Sequence, residues 1–370
     1  MREGKISCTQ LILLLFLSRV FSVLEYTPVV GNSMTGITLL IAVALSFVIQ
    51  CLLVIPMLLL LYRYQGQDIL GCAYLVSPVL GKIAAALLLL VFLAHLSGGY
   101  AIFSFFMTNI VYQQGSTLLI VFLLAVVCTA CACYGLQGLA RAGTIIFVVF
   151  SLGAVFVSLV ASDSADISNI HMIPEDDLSR IIRYAFESAS KNSELFVMLL
   201  LLPHIAKPGK KRTCTYWFLS LVFVFSEVTG FLILAVLGDF GMEQMFPYYA
   251  LTTVIDISIL QRLDSLHVTL WIFTALFHGA LYTICAIKCA GTLFPKKISR
   301  FSPLCIPLIS GCAGVFWGNH ILLLQRSGLS NFLILALVTA VFPLILFVIL
   351  YRKEKRHAPC ESRSAPASHS

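Results

Sequence analysis

Residues 18–28 read "SRVFSVLEYTP" and lie inside an apolar run that begins near Leu11. A bilayer helix should carry neither Arg19 nor Glu25, because a charge at the membrane centre costs about 2.5–3.5 kcal/mol on insertion scales. The two stand six residues apart, roughly 120° out of alignment on a straight helix, so they do not face each other. Each must face the protein interior, or the helix must break between them. Pro28 then removes a backbone donor and loosens the end of the segment. Two readings stand for this stretch: a ligand or ion site at a broken first helix, or a Glu25 that snorkels to the outer interface.

The rest of the chain sets the context. Hydrophobic residues make up 59% of its 370 residues and charged residues 11%, against about 25% charged in a soluble globular chain. This composition predicts an all-α integral membrane protein. The formal net charge of +7 does not point to nucleic acid, because the basic residues sit in short loops between apolar runs. Cys128, Cys131 and Cys133 cluster without a nearby histidine. They read as small apolar residues of a membrane helix, so neither a metal site nor a disulfide is expected. The chain has no Walker loop, no GxGxxG after a strand, no zinc-protease helix and no GxSxG, so no enzyme and no cofactor is expected. No small-residue cleavage site follows the first apolar run, and it is read as a span rather than a signal peptide.

Ten spans are expected, near residues 10–30, 37–62, 81–107, 117–134, 143–161, 192–206, 214–237, 266–290, 303–323 and 331–351. With the N-terminus in the cytoplasm, most Lys and Arg fall on inner loops and most acids fall outside, which places both termini in the cytoplasm. Residues 1–351 form one transmembrane domain. Residues 10–161 begin inside and residues 192–351 begin outside, the arithmetic of a five-plus-five inverted repeat with a ligand near the midplane. Between them, residues 162–191 contain "PEDDLSRIIRYAFESASKN", in which Leu178, Ile181, Ile182, Ala185 and Phe186 recur at helical spacing. That pattern predicts a short amphipathic helix on the outer surface. Residues 238–265 read as a second surface-lying segment, and residues 352–370 as a disordered basic cytoplasmic tail.

Several polar residues lie where lipid-spanning helices are expected. Residues 188–208 read "SASKNSELFVMLLLLPHIAKP", placing Ser193 and Glu194 at the start of span six and Pro203 at its end. Glu194 is either a ligand or proton group, or an acid favoured by the helix dipole. Glu227 in "FVFSEVTGF" is mid-span, as a functional acid or as half of a buried pair. His95 in "LAHLSGGYAIF" and His278 in "TALFHGALY" are also mid-span, as packing residues or as proton relays. Gly98 and Gly99 permit close helix approach or shape a pocket wall.

Four segments together resemble the spore germination permease family, the B subunits of GerA-type germinant receptors. These are "KISCTQLILLLFLSRVF" at 5–21, "YGLQGLARAGTIIF" at 134–147, "NSELFVMLLLLPHI" at 192–205, and "FPYYALTTVIDISILQRLDSLHVTLWIFTALFHGALY" at 246–282. The resemblance runs with gaps from about residue 5 to 350. It implies an amino acid/polyamine/organocation superfamily member with a LeuT-like fold. It also implies a spore inner-membrane protein that senses a small-molecule germinant together with A and C subunits. The family's pocket, carried over, would draw on Ser18, Arg19, Ser22 and Glu25 of span one and on His95 and Tyr100 of span three. Ser193 and Glu194 of span six, and Trp271 and His278 of span eight, would complete it, with Glu227 of span seven as a further candidate. Family members usually carry glycine in the first span, where unwound backbone meets an amino acid carboxylate; residues 18–28 have none. Either the helix breaks differently here, or Arg19 supplies the charge. Two rival functions are a proton-coupled amino acid transporter and a membrane scaffold that binds no ligand.

Overall fold

The computed structural model describes residues 5–24, 36–171, 177–254, 263–321 and 328–357, and among them the chain is helical with no strand. Glu25, Pro28 and Pro174 lie outside the described residues, as does most of the tail.

In chain order the helices are α1 (Cys8–Leu24), α2 (Ile37–Arg63), α3 (Ile69–Val76), α4 (Pro78–Phe106, extended by a π turn at Met107–Val111) and α5 (Thr117–Cys133). They continue as α6 (Gly135–Asp163), α7 (Leu178–Ser190), α8 (Glu194–Leu201), α9 (Lys211–Glu243) and α10 (Pro247–Val254). The last are α11 (Leu263–Leu293), α12 (Lys296–Ser299), α13 (Ser302–Gly318), α14 (Gly328–Ala336) and α15 (Phe342–His357), α14 passing into α15 through a π turn at Leu337–Val341.

Six of these helical stretches are long and apolar enough to cross a membrane, and four shorter apolar ones (α1, α5, α8 with its following turn, and α13) accompany them. Each falls on one of the ten apolar runs. Their ends follow local chemistry. Ser77 caps α4 by accepting from Val79 N at 3.3 Å, and Pro78 fills the first position, where a missing N–H costs nothing. Asp68 caps α3 by accepting from Gly71 N at 2.7 Å.

α11 is the central helix. Of its most apolar stretch 78% is buried, against 22–39% in the other five long helices, and it packs on α1, α4, α5, α6 and α13. The outer faces of α2, α4, α5 and α6 carry exposed Leu, Val, Ile and Phe. In water such a surface would be unfavourable, and in lipid it is the expected one.

α8 is sealed on every side, because its sequence "ELFVMLLL" is apolar all round after the first residue. At eight residues it is about 12 Å long, well short of a ~30 Å hydrocarbon layer. α7 precedes it across the non-helical residues 191–193. α7 packs against α2 and α14, burying Ile181, Tyr184, Ala185 and Glu187.

α9 bends at Gly238 (φ 53°, ψ −137°), a region that side chains with a Cβ rarely enter. The bend frees the carbonyl of Ala235. Asp166 N and Asn169 Nδ2 both donate to it at 2.9 Å.

Both described ends of the chain lie at one end of the bundle. Cys214 contacts the carbonyl of Cys8, Lys211 Nζ donates to Leu61 O at 2.7 Å, and Arg63 pairs with Glu354 at 3.0 Å. This terminal end is fastened further. Ile6 N donates to His204 O at 3.1 Å, and Ala206 N to Ile6 O at 2.9 Å. Lys288 Nζ of α11 lies 2.7 Å from Asp68 Oδ2 and 2.8 Å from His204 Nε2.

Candidate functional site

On α1, Ser18, Phe21 and Ser22 stand at i, i+3 and i+4 and share a face. Ser18 Oγ donates to Glu194 Oε1 at 2.8 Å and lies 3.2 Å from His278 Nδ1. His278 Nδ1 is 3.6 Å from the same carboxylate oxygen. Three helices, α1, α8 and α11, therefore meet at one polar knot in an otherwise apolar interior. A carboxylate only accepts, so the single serine proton goes to Glu194, and the serine oxygen is left to accept from His278. That assignment makes the neutral ring the Nδ1–H tautomer. The serine, not the imidazole, bridges the other two groups, unlike a nucleophilic triad.

Glu194 is fully buried at the start of α8, where the helix dipole favours its charge. Its second oxygen, Oε2, has no hydrogen-bond partner among the described residues. Arg19 is 5% exposed and donates from Nη1 to Ser22 Oγ at 2.5 Å, and its charge acts on Glu194 through space. Behind the knot, Tyr282 OH donates to Ser193 Oγ at 2.6 Å, and its ring stacks on His278 at 4.2 Å. Phe21 lies against His278 at 5.2 Å and stacks on Trp271 at 5.1 Å. Trp271 Nε1 donates to the carbonyl of Phe21 at 3.0 Å. The indole thus ties α11 to the backbone of α1.

A cavity of about 320 Å³ opens between α1, α4, α7, α11 and α14. Its wall includes Ser22, His95, Ser193, His278, Glu187 and Asn331. Gly98 and Gly99 form part of the α4 side. A Cβ added at Gly98 would meet nothing within 4 Å, whereas one at Gly99 would lie 3.2 Å from His278 Cδ2 and 3.3 Å from Nε2. The Cδ2–Nε2 edge of His278 thus lies over Gly99, and its Nδ1 edge faces Ser18 and Glu194. One ring joins the cavity to the buried knot.

Of the residues singled out in the sequence, Ser22, His95, Ser193 and His278 reach the cavity wall, and Ser18 and Glu194 stand directly behind it. Arg19 borders a separate space of about 30 Å³ with Ser22 and Lys191. Tyr100 is buried, near the positions a Cβ would take at Gly279 and Gly314, and Trp271 is buried under Phe21; neither lines the cavity. Glu25 is outside the described residues.

Glu227 lies on α9 away from the cavity, partly buried, with Oε1 unpartnered among the described residues. An acid in that position lowers stability without a compensating bond. Glu227→Leu is therefore expected to raise resistance to thermal denaturation by about 1–3 kcal/mol, read as a higher midpoint of aggregation in detergent. A lower midpoint would mean that the carboxylate is paired.

Sequence reasoning passed over Phe21, Glu187 and Asn331. The signal for Glu187 was present: it follows Tyr184 by three residues on the otherwise apolar face of α7. Asn331 offered only a polar residue at the start of an apolar run. Among the described residues no cluster of three His, Cys, Asp or Glu is placed to hold a metal.

The comparisons with known proteins agree with this architecture. A family model described as "Spore germination protein" matches residues 5–314. No curated protein matches the chain. Among solved structures, a substrate-bound, outward-open Na+-coupled sialic acid symporter is similar in fold, with a TM-score of 0.62. That alignment covers 93% of this chain and 78% of the symporter at 11% identity. The likeness is one of fold alone, and the fold is LeuT-like. With its apolar helices and transporter architecture, this chain is an integral membrane protein and belongs to the spore germination permease family.

Proposed function

We propose that the chain is the ligand-binding subunit of a nutrient germinant receptor. It takes a small germinant in the cavity between α1, α4, α7, α11 and α14 and passes the signal to A and C subunits. It works in the spore inner membrane with both termini in the cytoplasm. Ten spans arranged as two inverted sets of five carry the cavity at mid-depth. The observation that carries the reading is the cavity itself: a space of about 320 Å³, mostly apolar in lining but carrying Ser22, His95, Ser193 and His278 on its wall, in a member of a germination family. Its size suits a small organic molecule. Binding would bias a two-state bundle, and the partners would read its state.

The test is to fill the space. Gly98 lines the cavity and a Cβ there meets nothing within 4 Å, so Gly98→Leu directs a side chain into the space. Spores carrying it are expected to lose at least tenfold in sensitivity to the nutrient that requires this chain, with protein abundance unchanged. The nutrient is identified first, by comparing spores with and without the chain on a nutrient panel. An unchanged dose curve overturns the reading and favours a scaffold that binds nothing.

A second reading, a proton-coupled transporter of an amino acid, is favoured by one observation, the carboxylate–serine–histidine knot beside the cavity. Radiolabelled uptake into proteoliposomes separates the two: accumulation driven by an imposed proton gradient supports the transporter.

A further inference from the structure

We propose that His278, Ser18 and Glu194 form a proton-binding relay that switches the cavity wall from a hydrogen-bond acceptor to a donor. The inference deepens the ligand reading and rests on it for its consequence, but its chemistry stands on the knot alone.

The bonds fix the starting state. Ser18 gives its proton to Glu194, so His278 must hold a proton on Nδ1 to complete the chain. Nε2 is then a bare acceptor, on the ring edge that lies over Gly99 at the cavity. A proton arriving through the cavity adds to Nε2. The donor is a hydronium ion in the cavity: its O–H bond breaks as the N–H bond forms, water is left, and the product is an imidazolium with donors on both edges. Its new N–H faces the cavity. Its positive charge lies 3.6 Å from the Glu194 carboxylate, which balances it.

Two features set this apart from a histidine that merely packs. A packing histidine has both nitrogens engaged by protein, whereas here the Nε2 edge lies over Gly99, and His278 and Gly99 both line the 320 Å³ space. Glu194 also holds a buried oxygen, Oε2, with no hydrogen bond among the described residues, an acceptor in reserve for an added charge.

The groups around His278 pull in both directions. Glu194 of α8 favours the imidazolium, and Arg19 of α1 opposes it. His95 of α4 opposes it when itself charged. Tyr282 on the same helix is a neutral neighbour, and Tyr100 of α4 and Cys128 of α5 lie against the adjacent Gly279. Across the cavity stand Glu187 and Lys191, opposite in sign. Among the described charged groups, Glu194 is the one recorded in direct reach of the ring, so it dominates there.

The consequence is chemical selectivity that depends on pH. With His278 loaded, the wall offers a charged donor, and a ligand bearing a carboxylate or another strong acceptor is held best. With His278 unloaded, a ligand that presents a donor is held instead.

The experiment titrates the full chain in lipid nanodiscs with ring-15N histidine, the proton being the probe and no nutrient present. A His278→Gln difference spectrum assigns the signal. The neutral ring is expected as the Nδ1–H tautomer. Acidification is expected to add the second proton at Nε2, and in Glu194→Gln and Ser18→Ala the neutral ring is expected to lose its preference for the Nδ1–H tautomer, because the chain that holds that proton is broken. An Nε2–H tautomer in the unaltered protein overturns the relay, and that measurement needs no variant to fold. An unchanged tautomer preference in both Glu194→Gln and Ser18→Ala overturns it as well. Because no ligand is present, either result leaves the germinant cavity standing. Failure of Gly98→Leu to change nutrient sensitivity counts against the cavity and not against the relay.

Discussion

Truncating Trp271 to alanine is expected to lower the stability of the folded bundle by about 3–5 kcal/mol, the range for removing a large buried aromatic side chain. Trp271 is 1% exposed and is the hub of the aromatic packing beneath the cavity. It stacks on Phe21 at 5.1 Å and on Phe103 at 5.6 Å, and meets Phe106 edge-on at 4.6 Å. Its indole also donates to the carbonyl of Phe21. The alanine variant removes the packing and the bond together, and so loosens the α1 turn that presents Phe21 and Ser22 to the cavity. Trp271→Phe keeps most of the packing and loses the bond, so a smaller loss of about 1–2 kcal/mol is expected. Denaturation in increasing SDS, followed by loss of helical circular dichroism, reads both. Equal losses in the two variants would mean that the hydrogen bond, not the packing, supplies the stability.

The second large effect is expected at Lys288. Its ammonium is bound by Asp68 at 2.7 Å and His204 at 2.8 Å, and reaches the carbonyl of Leu200 at 3.4 Å. Leu200 lies in the last turn of α8, where carbonyls lack internal donors and a cation is favoured. The Lys288 side chain is 21% exposed and the Asp68 side chain 14%. The loss from Lys288→Met is therefore set below that of a fully buried pair, at about 1–3 kcal/mol. Asp68→Asn in the same background should then cost less than it does alone, because the pair is already broken. Opening at this end should also expose Cys289, which is fully buried on the same helix. Alkylation of Cys289 by a membrane-permeant maleimide, read by peptide mass spectrometry, is expected to rise severalfold in Lys288→Met. Unchanged labelling with unchanged stability would show that the pair is incidental to closure.

Much of the architecture could be read from hydropathy alone, because a helix that faces lipid must be apolar over its length, and α2, α4, α6 and α9 are. The discontinuity before α8 was also readable, since Lys191, Asn192, Ser193 and Glu194 interrupt an apolar run. α7 was harder. Its periodicity shows which face is apolar but not what lies against that face, and a helix resting on a membrane surface has the same pattern as one packed on α2 and α14. At the candidate site, charge drew attention to Arg19 and Glu227, yet the side chain that links three helices is the uncharged Ser18. Its signal was spacing, shared with Phe21 and Ser22, and it gains meaning only once α8 and α11 bring Glu194 and His278 beside it. Glu187 was hidden for a similar reason: its importance depends on α14 closing the far wall of the cavity.

α8 itself has a mechanical consequence. It is a strut with a carboxylate bolted into the cavity-side knot and an ammonium fastened across its other tip. With all eight residues buried, close packing leaves it little slack to absorb strain. The same short rod therefore joins the Ser18–Glu194 contact at one tip to the Lys288 clasp at the other.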